Sequence, residues 1–88
     1  MTNIQPGEKI ELSVTFSRNG EAATPTGNVV AKIKPKGGEW GNDIACSPQG
    51  GGVYTAETTA PAEIGYYVAR FTSDDGGIEE VEFTVTEL

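Results

Sequence analysis

In the run Gly65-Tyr66-Tyr67-Val68-Ala69-Arg70-Phe71, the side chains Tyr67, Ala69 and Phe71 fall in one register and Tyr66, Val68 and Arg70 in the other. A period of two is the mark of a strand, because successive side chains leave a pleated backbone on opposite faces. The pattern recurs on both sides of this run. Upstream, Ile10, Leu12, Val14 and Phe16 alternate with Glu11, Ser13 and Thr15, and Val29, Ala31 and Ile33 alternate with Val30, Lys32 and Lys34 until Pro35 ends the strand. Ile44 and Cys46 suggest a short strand before Ser47-Pro48, and residues 53–58 form another with Tyr54 and Ala56 inward. Downstream, Val81, Phe83 and Val85 face inward against Glu80, Glu82 and Thr84.

Turn residues separate these runs. Arg18-Asn19-Gly20 and Asp74-Asp75-Gly76-Gly77 read as hairpin turns, since Asn, Asp and Gly accept the positive φ that tight hairpins need. Residues 21–27, with Pro25 and Gly27, are an irregular connection or a short edge strand. Residues 36–43 form a glycine-containing loop with one large aromatic, Trp40, and Gln49-Gly50-Gly51-Gly52 is the most mobile stretch by composition. Helical periodicity is absent. About seven short strands at this spacing predict an all-β fold, an antiparallel β-sandwich, with an N-terminal arm over 1–7 and the sandwich domain over 8–88. The two layers are expected to meet through Leu12, Val14, Ile33, Tyr67, Phe71, Phe83 and Val85.

Composition excludes several activities. The 88 residues make one domain with a small core. Cys46 is the single cysteine, so no disulfide framework or cysteine metal set exists, and it reads as a small buried hydrophobe rather than a reactive thiol. With no histidine in the chain, Ser–His and Cys–His nucleophilic pairs are impossible within it. A net charge of −7 opposes binding to nucleic acid and to anionic membranes. The charge is uneven: residues 1–44 balance, whereas 45–88 set Arg70 against eight carboxylates. No apolar run approaches a membrane span, and Met1 to Gly7 lacks the basic and apolar regions of a signal peptide.

The stretch Glu63-Ile64-Gly65-Tyr66-Tyr67-Val68-Ala69 resembles the immunoglobulin F-strand pattern, with Glu63 at the acidic position, Gly65 at the small one and Tyr67 at the tyrosine-corner position. The resemblance implies an immunoglobulin-like sandwich in which the Tyr67 hydroxyl bonds a backbone carbonyl upstream. Ala69 stands where the second cysteine would be, and Trp40 lies in a glycine-rich loop, so the domain is not of the antibody type. A broader pattern runs through Pro6-Gly7-Glu8, Asn19-Gly20, Gly52-Val53-Tyr54, Pro61, Gly65-Tyr66-Tyr67 and Val81-x-Phe83-x-Val85. It is similar to the disulfide-free immunoglobulin-like modules of bacterial surface proteins and tailed-phage virions.

Five features are candidates for contact with a partner. Trp40, flanked by Glu39 and Asn42, is either an interface anchor or sugar-stacking ring, or a cover for the end of the core, and Tyr66 is the second aromatic offered to a ligand. Lys32, Lys34 and Lys36 form a basic row that suits the acidic half of another copy in a head-to-tail contact, or simply the wet face of a sheet. Ile4 and Pro6 lie in an arm that orders on a partner, and the closing strand from Ile78 onward is a possible sheet edge whose glutamates oppose uncontrolled pairing. Asp74, Asp75, Glu79 and Glu80 surround one hairpin without calcium-loop spacing, and Glu57 with Glu63 lacks a cleft for paired-carboxylate chemistry. These features lead to the expectation of a non-catalytic structural or binding module without cofactor or metal, its partner a capsid or tail protein or copies of itself. The expected location is a virion. The alternative is an adhesion or carbohydrate-binding module of a bacterial surface or secreted protein.

Overall fold

A computed structural model describes residues 4–86. Nine strands follow one another: β1 (Lys9–Thr15), β2 (Ser17–Arg18), β3 (Glu21–Ala22), β4 (Val29–Pro35), β5 (Ile44–Ala45), β6 (Ser47–Gly50), β7 (Val53–Thr59), β8 (Gly65–Ser73) and β9 (Ile78–Val85). Seven of them build two layers, a three-stranded sheet β1-β7-β6 and a four-stranded sheet β5-β4-β8-β9, every pair antiparallel. The chain passes from one layer to the other between β1 and β4, and again between β7 and β8. Between β5 and β6 it changes layer at Cys46, whose half-buried side chain packs against the core. This is the B-E-D and C′-C-F-G arrangement of an immunoglobulin-like β-sandwich. β2 and β3 form a small separate hairpin, so part of the 21–27 connection is a short strand, and Asn19 at φ 54° with Gly20 at φ 84° makes its turn.

The alternating residues fill the interior. Leu12, Val14 and Phe16 of the β1 segment meet Ala31 of β4 and Ala69 and Phe71 of β8, with Tyr54 and Ala56 of β7 beside them. Phe16 and Tyr54 pack edge to face, their centroids 5.6 Å apart. Alanines line much of the interior: Ala31, Ala56 and Ala69 are 0–1 % exposed and belong to the same buried cluster as Phe71. Gly52 is required where the β6–β7 turn passes under the β1 segment, since a Cβ there would come within 2.9 Å of the carbonyl oxygens of Phe16 and Ala23. The stretch Gln49-Gly50-Gly51-Gly52 is thus not an open coil: Gly50 pairs with Val53, and Phe16 donates its backbone N–H to the Gly52 carbonyl.

A second apolar cluster closes one end of the sandwich. It joins Ile4, Ala60, Tyr67 and Val85, with Phe83 packed against it. The Tyr67 hydroxyl donates to the Glu63 carbonyl at 2.7 Å, tying the end of the β7–β8 connection to the first residues of β8. Phe83 stacks on Tyr67 at 5.5 Å but is only half-buried, as is Ile33, because both sit near the rim rather than between the layers.

The expected N-terminal arm is corrected here. Ile4 forms a parallel bridge with Val85, accepts a hydrogen bond from the Thr86 N–H and is 9 % exposed. Gly7 donates to the Ala60 carbonyl, and Pro6 is half-buried in the turn between them. Residues 4–7 therefore belong to the sandwich, and Ile4 is not available to a partner. A large aliphatic side chain beside the rim of a small core gains more from filling it than from water. Residues 1–3 of the expected arm lie outside the described residues.

Two stability measurements probe this packing. Phe71→Ala, at a fully buried ring, is expected to cost about 3–5 kcal/mol and Phe83→Ala, at a half-buried one, about 2 kcal/mol. Urea melts giving equal midpoint shifts would contradict the burial described. Tyr67→Phe is expected to cost about 1 kcal/mol, since the Glu63 carbonyl keeps access to water once its partner is gone. A loss of several kcal/mol in the same melts would mean that the carbonyl is sealed.

Candidate functional site

The surface that stands out is the outer face of the four-stranded sheet. Register puts the even-numbered residues of β4, β8 and β9 on it in rows: Lys34 beside Val68 beside Glu82, Lys32 beside Arg70 beside Glu80, and Val30 beside Thr72 beside Ile78. Tyr66 pairs with Thr84 at the next level. Lys36 continues the basic row past the end of β4, where its backbone N–H donates to the Tyr66 carbonyl at 2.9 Å. Of six basic side chains in the chain, four (Lys32, Lys34, Lys36 and Arg70) line depressions on this one face.

Two of the three exposed large apolar side chains among the described residues are also on this face, the third being Ile64, 62 % exposed, in the β7–β8 connection. Tyr66 is 69 % and Ile78 58 % exposed, and both project from its strands. An open depression of about 660 Å³ runs along it, with Lys34, Lys36, Tyr66 and Val68 on one side and Glu80 and Glu82 on the other. Large apolar side chains exposed on a regular sheet face, rimmed by charge, characterise contact surfaces.

Trp40 is folded back onto this face. The Lys34 ammonium lies 4.7 Å and the Arg70 guanidinium 4.8 Å from its ring centroid. Each such contact contributes about 0.5–1 kcal/mol at a partly exposed site. The ring is half-buried and occupied by the protein's own cations, so neither a freely projecting loop anchor nor an open sugar platform describes it. It covers the outside of the sheet rather than the end of the core, because the lysine row on β4 offers it a charged partner next to its own loop. Arg70 also reaches Glu80 at 2.6 Å and Lys32 reaches Asp43 at 3.4 Å. These exposed pairs are worth less than about 1 kcal/mol each, and their effect is to orient the charges.

The other candidates are separated from this surface. Glu39 and Asn42 are exposed but line a different depression, beside Thr58, Glu63 and Tyr67 at the β5 edge. The loop therefore splits: Trp40 joins Tyr66 and the lysines, and its two polar neighbours do not. Val68 and Arg70 belong to the face although they were not singled out from the sequence, and Ile78, Glu80 and Glu82, read there as part of an acidic hairpin and a closing edge strand, join them. The signal was present in residue parity, but strand partners are needed before parity becomes a shared surface.

The acidic hairpin staples loops together. Asp75 accepts hydrogen bonds from the Ser73 hydroxyl and from the backbone N–H groups of Thr26, at 2.9 Å, and Gly77, at 3.2 Å, and it pairs with Arg18 at 3.3 Å. The Ser73 hydroxyl and then the Thr26 N–H hold its carboxyl down at about 2. Asp74 accepts from the Asn28 N–H at 2.9 Å. The β8–β9 hairpin is thereby tied to the segment entering β4. At Cys46, burial pushes the thiol up, which disfavours the thiolate.

No family model matches the sequence, and no match is found among the curated proteins. Among solved structures, the chain is similar to an immunoglobulin-domain structure described as the ZIG-8–RIG-5 IG1–IG1 heterodimer, monoclinic form. The identity is 12 %, 97 % of this chain and 80 % of that chain are covered, and the TM-score is 0.49.

The Asp75 staple gives a pH prediction. Its carboxyl sits lower in the folded protein than in the unfolded chain, so its stabilisation is complete above about pH 4 and is lost as pH falls through about 2. Asp75→Asn is expected to be less stable than wild type at neutral pH, with the gap closing between pH 4 and 2. Chemical melts across that range check it; a gap that stays constant would show that the charge of Asp75 is not what holds the loops.

Proposed function

We propose that this chain is a non-catalytic protein-binding module whose contact surface is the outer face of the four-stranded sheet, and that it serves as an accessory structural protein of a tailed-phage virion, on the capsid or the tail. One observation carries the binding reading: an otherwise acidic molecule gathers Lys32, Lys34, Lys36 and Arg70 on one sheet face, together with exposed Tyr66 and Ile78. Charges scattered only for solubility have no reason to segregate, and a tyrosine in water beside cations is a typical interface residue. The virion assignment is supported by the disulfide-free sandwich and by the sequence pattern from Pro6-Gly7-Glu8 to Val81-x-Phe83-x-Val85, similar to phage immunoglobulin-like modules.

The carbohydrate-binding alternative rests on Trp40 and Tyr66, and it is the weaker reading because the Trp40 ring is already engaged by Lys34 and Arg70. Cosedimentation with particles assembled from the structural genes that accompany this one tests the proposal. Wild type is expected in the pellet, and Tyr66→Ala, a substitution at an exposed site, is expected to lower the bound fraction several-fold. A wild-type protein that stays in the supernatant at high concentration refutes the virion role. Binding that ignores Tyr66→Ala refutes the assigned face.

A further inference from the structure

Charge on the outer face is ordered by strand. β4 contributes Lys32 and Lys34, with Lys36 just past its end; β9 contributes Glu80 and Glu82; β8 runs between them with Tyr66, Val68, Arg70 and Thr72, Arg70 being paired with Glu80 at 2.6 Å. Neighbouring strands lie about 4.8 Å apart, so the basic and acidic strips are about 10 Å apart. At contact distance each strip acts as a separate charged stripe, since screening at physiological ionic strength extends over about 8 Å.

Such a surface suits neither an anion nor a cation. A phosphate or an acidic peptide lying along the lysines would meet Glu80 and Glu82 in the same depression, and a basic partner would meet the lysines. It suits a surface with the stripes in reverse order, and this chain itself presents that order once it is turned over. We infer that the partner of the face is a second copy of this chain, packed sheet to sheet about a two-fold axis parallel to β8. This rests on the reading of that face as the contact surface.

The axis direction follows from the pattern. A two-fold parallel to the strands lays β4 of one copy over β9 of the other, Lys34 over Glu82 and Lys32 over Glu80, twice by symmetry. A two-fold running across the strands would lay lysine over lysine. Arg70, on the central strand, meets its own counterpart near the axis, where the Glu80 carboxylate at 2.6 Å and the Trp40 ring already offset its charge. Tyr66 and Val68, next to the axis, and Ile78 at the flank supply the apolar contact that aligned sheets make. A head-to-tail chain of copies, the arrangement suggested by the lysine row and the acidic half of the sequence, is replaced by a closed pair. Both stripes lie on one face, so a single contact satisfies them and leaves no unmatched stripe to recruit a third copy.

Sedimentation equilibrium on the purified chain tests this, with the fluorescence of Trp40, the sole tryptophan, as a second readout. Wild type is expected to dimerise. Lys34→Glu and Glu82→Lys are each expected to weaken the dimer about tenfold or more, as juxtaposed like charges do. Glu82→Lys is the more decisive variant, because it makes an acidic molecule less acidic and so lowers the general repulsion between copies. Mixing the two variants is expected to restore pairing as a heterodimer, and the combined K34E/E82K chain is expected to dimerise by itself. A wild type that is monomeric up to about 1 mM overturns the inference, as does a dimer indifferent to both variants or a mixture that does not pair. The chain is tested alone, so a monomer that still cosediments with particles removes only the second copy as partner. A dimer that fails to cosediment removes the virion role and leaves the pairing intact.

Discussion

Strand β8 carries two obligations that cannot be moved independently. Its odd residues Tyr67, Ala69 and Phe71 are buried against the other layer, and its even residues Tyr66, Val68 and Arg70 are thereby forced outward between β4 and β9. A slip of one residue would exchange the two sets, exposing Phe71 and burying Arg70. The core thus constrains the outer face: once Phe71 is inside, Tyr66, Val68 and Arg70 are outside, and the registers of β4 and β9 with β8 place the remaining charges beside them.

The register is reinforced at both ends of the strand. At one end the Tyr67 hydroxyl holds the Glu63 carbonyl and stacks against Phe83. At the other, Asp74 and Asp75 tie the β8–β9 hairpin to Thr26 and Asn28, which lead into β4. β8 is therefore held against both of its sheet neighbours by contacts outside the ladder. These contacts bear on the proposed contact face, because a face made of three strands keeps its charge pattern only if the strands cannot slide.

The small core has a consequence for how the molecule is able to act. Ala31, Ala56 and Ala69 are the small side chains between the layers, and the depressions among the described residues open on the surface. Recognition on a flat sheet face depends on the order of side chains along and across strands, and both are specified here by the same pairing that builds the fold. The loop carrying Trp40 adds to this by lying against Lys34 and Arg70, which fixes the directions in which two of the cations point.

Alternation and turn residues determined the principal strands, which side chains of each face inward, the hairpin turn at Asn19-Gly20 and the sandwich class. These are local consequences of a pleated backbone and of residues that accept positive φ, and local physics is legible in a linear chain. The fate of Ile4, the folding back of Trp40, the separation of Glu39 and Asn42 from it, and the half-burial of Ile33 and Phe83 were decided only by the tertiary structure. Each depends on which residues far along the chain come to lie beside it. The outer face is the clearest case. Lys34, Val68 and Glu82 are far apart in sequence and form one row only because β4 and β9 both pair with β8, and nothing in the spacing of a single strand specifies its neighbours.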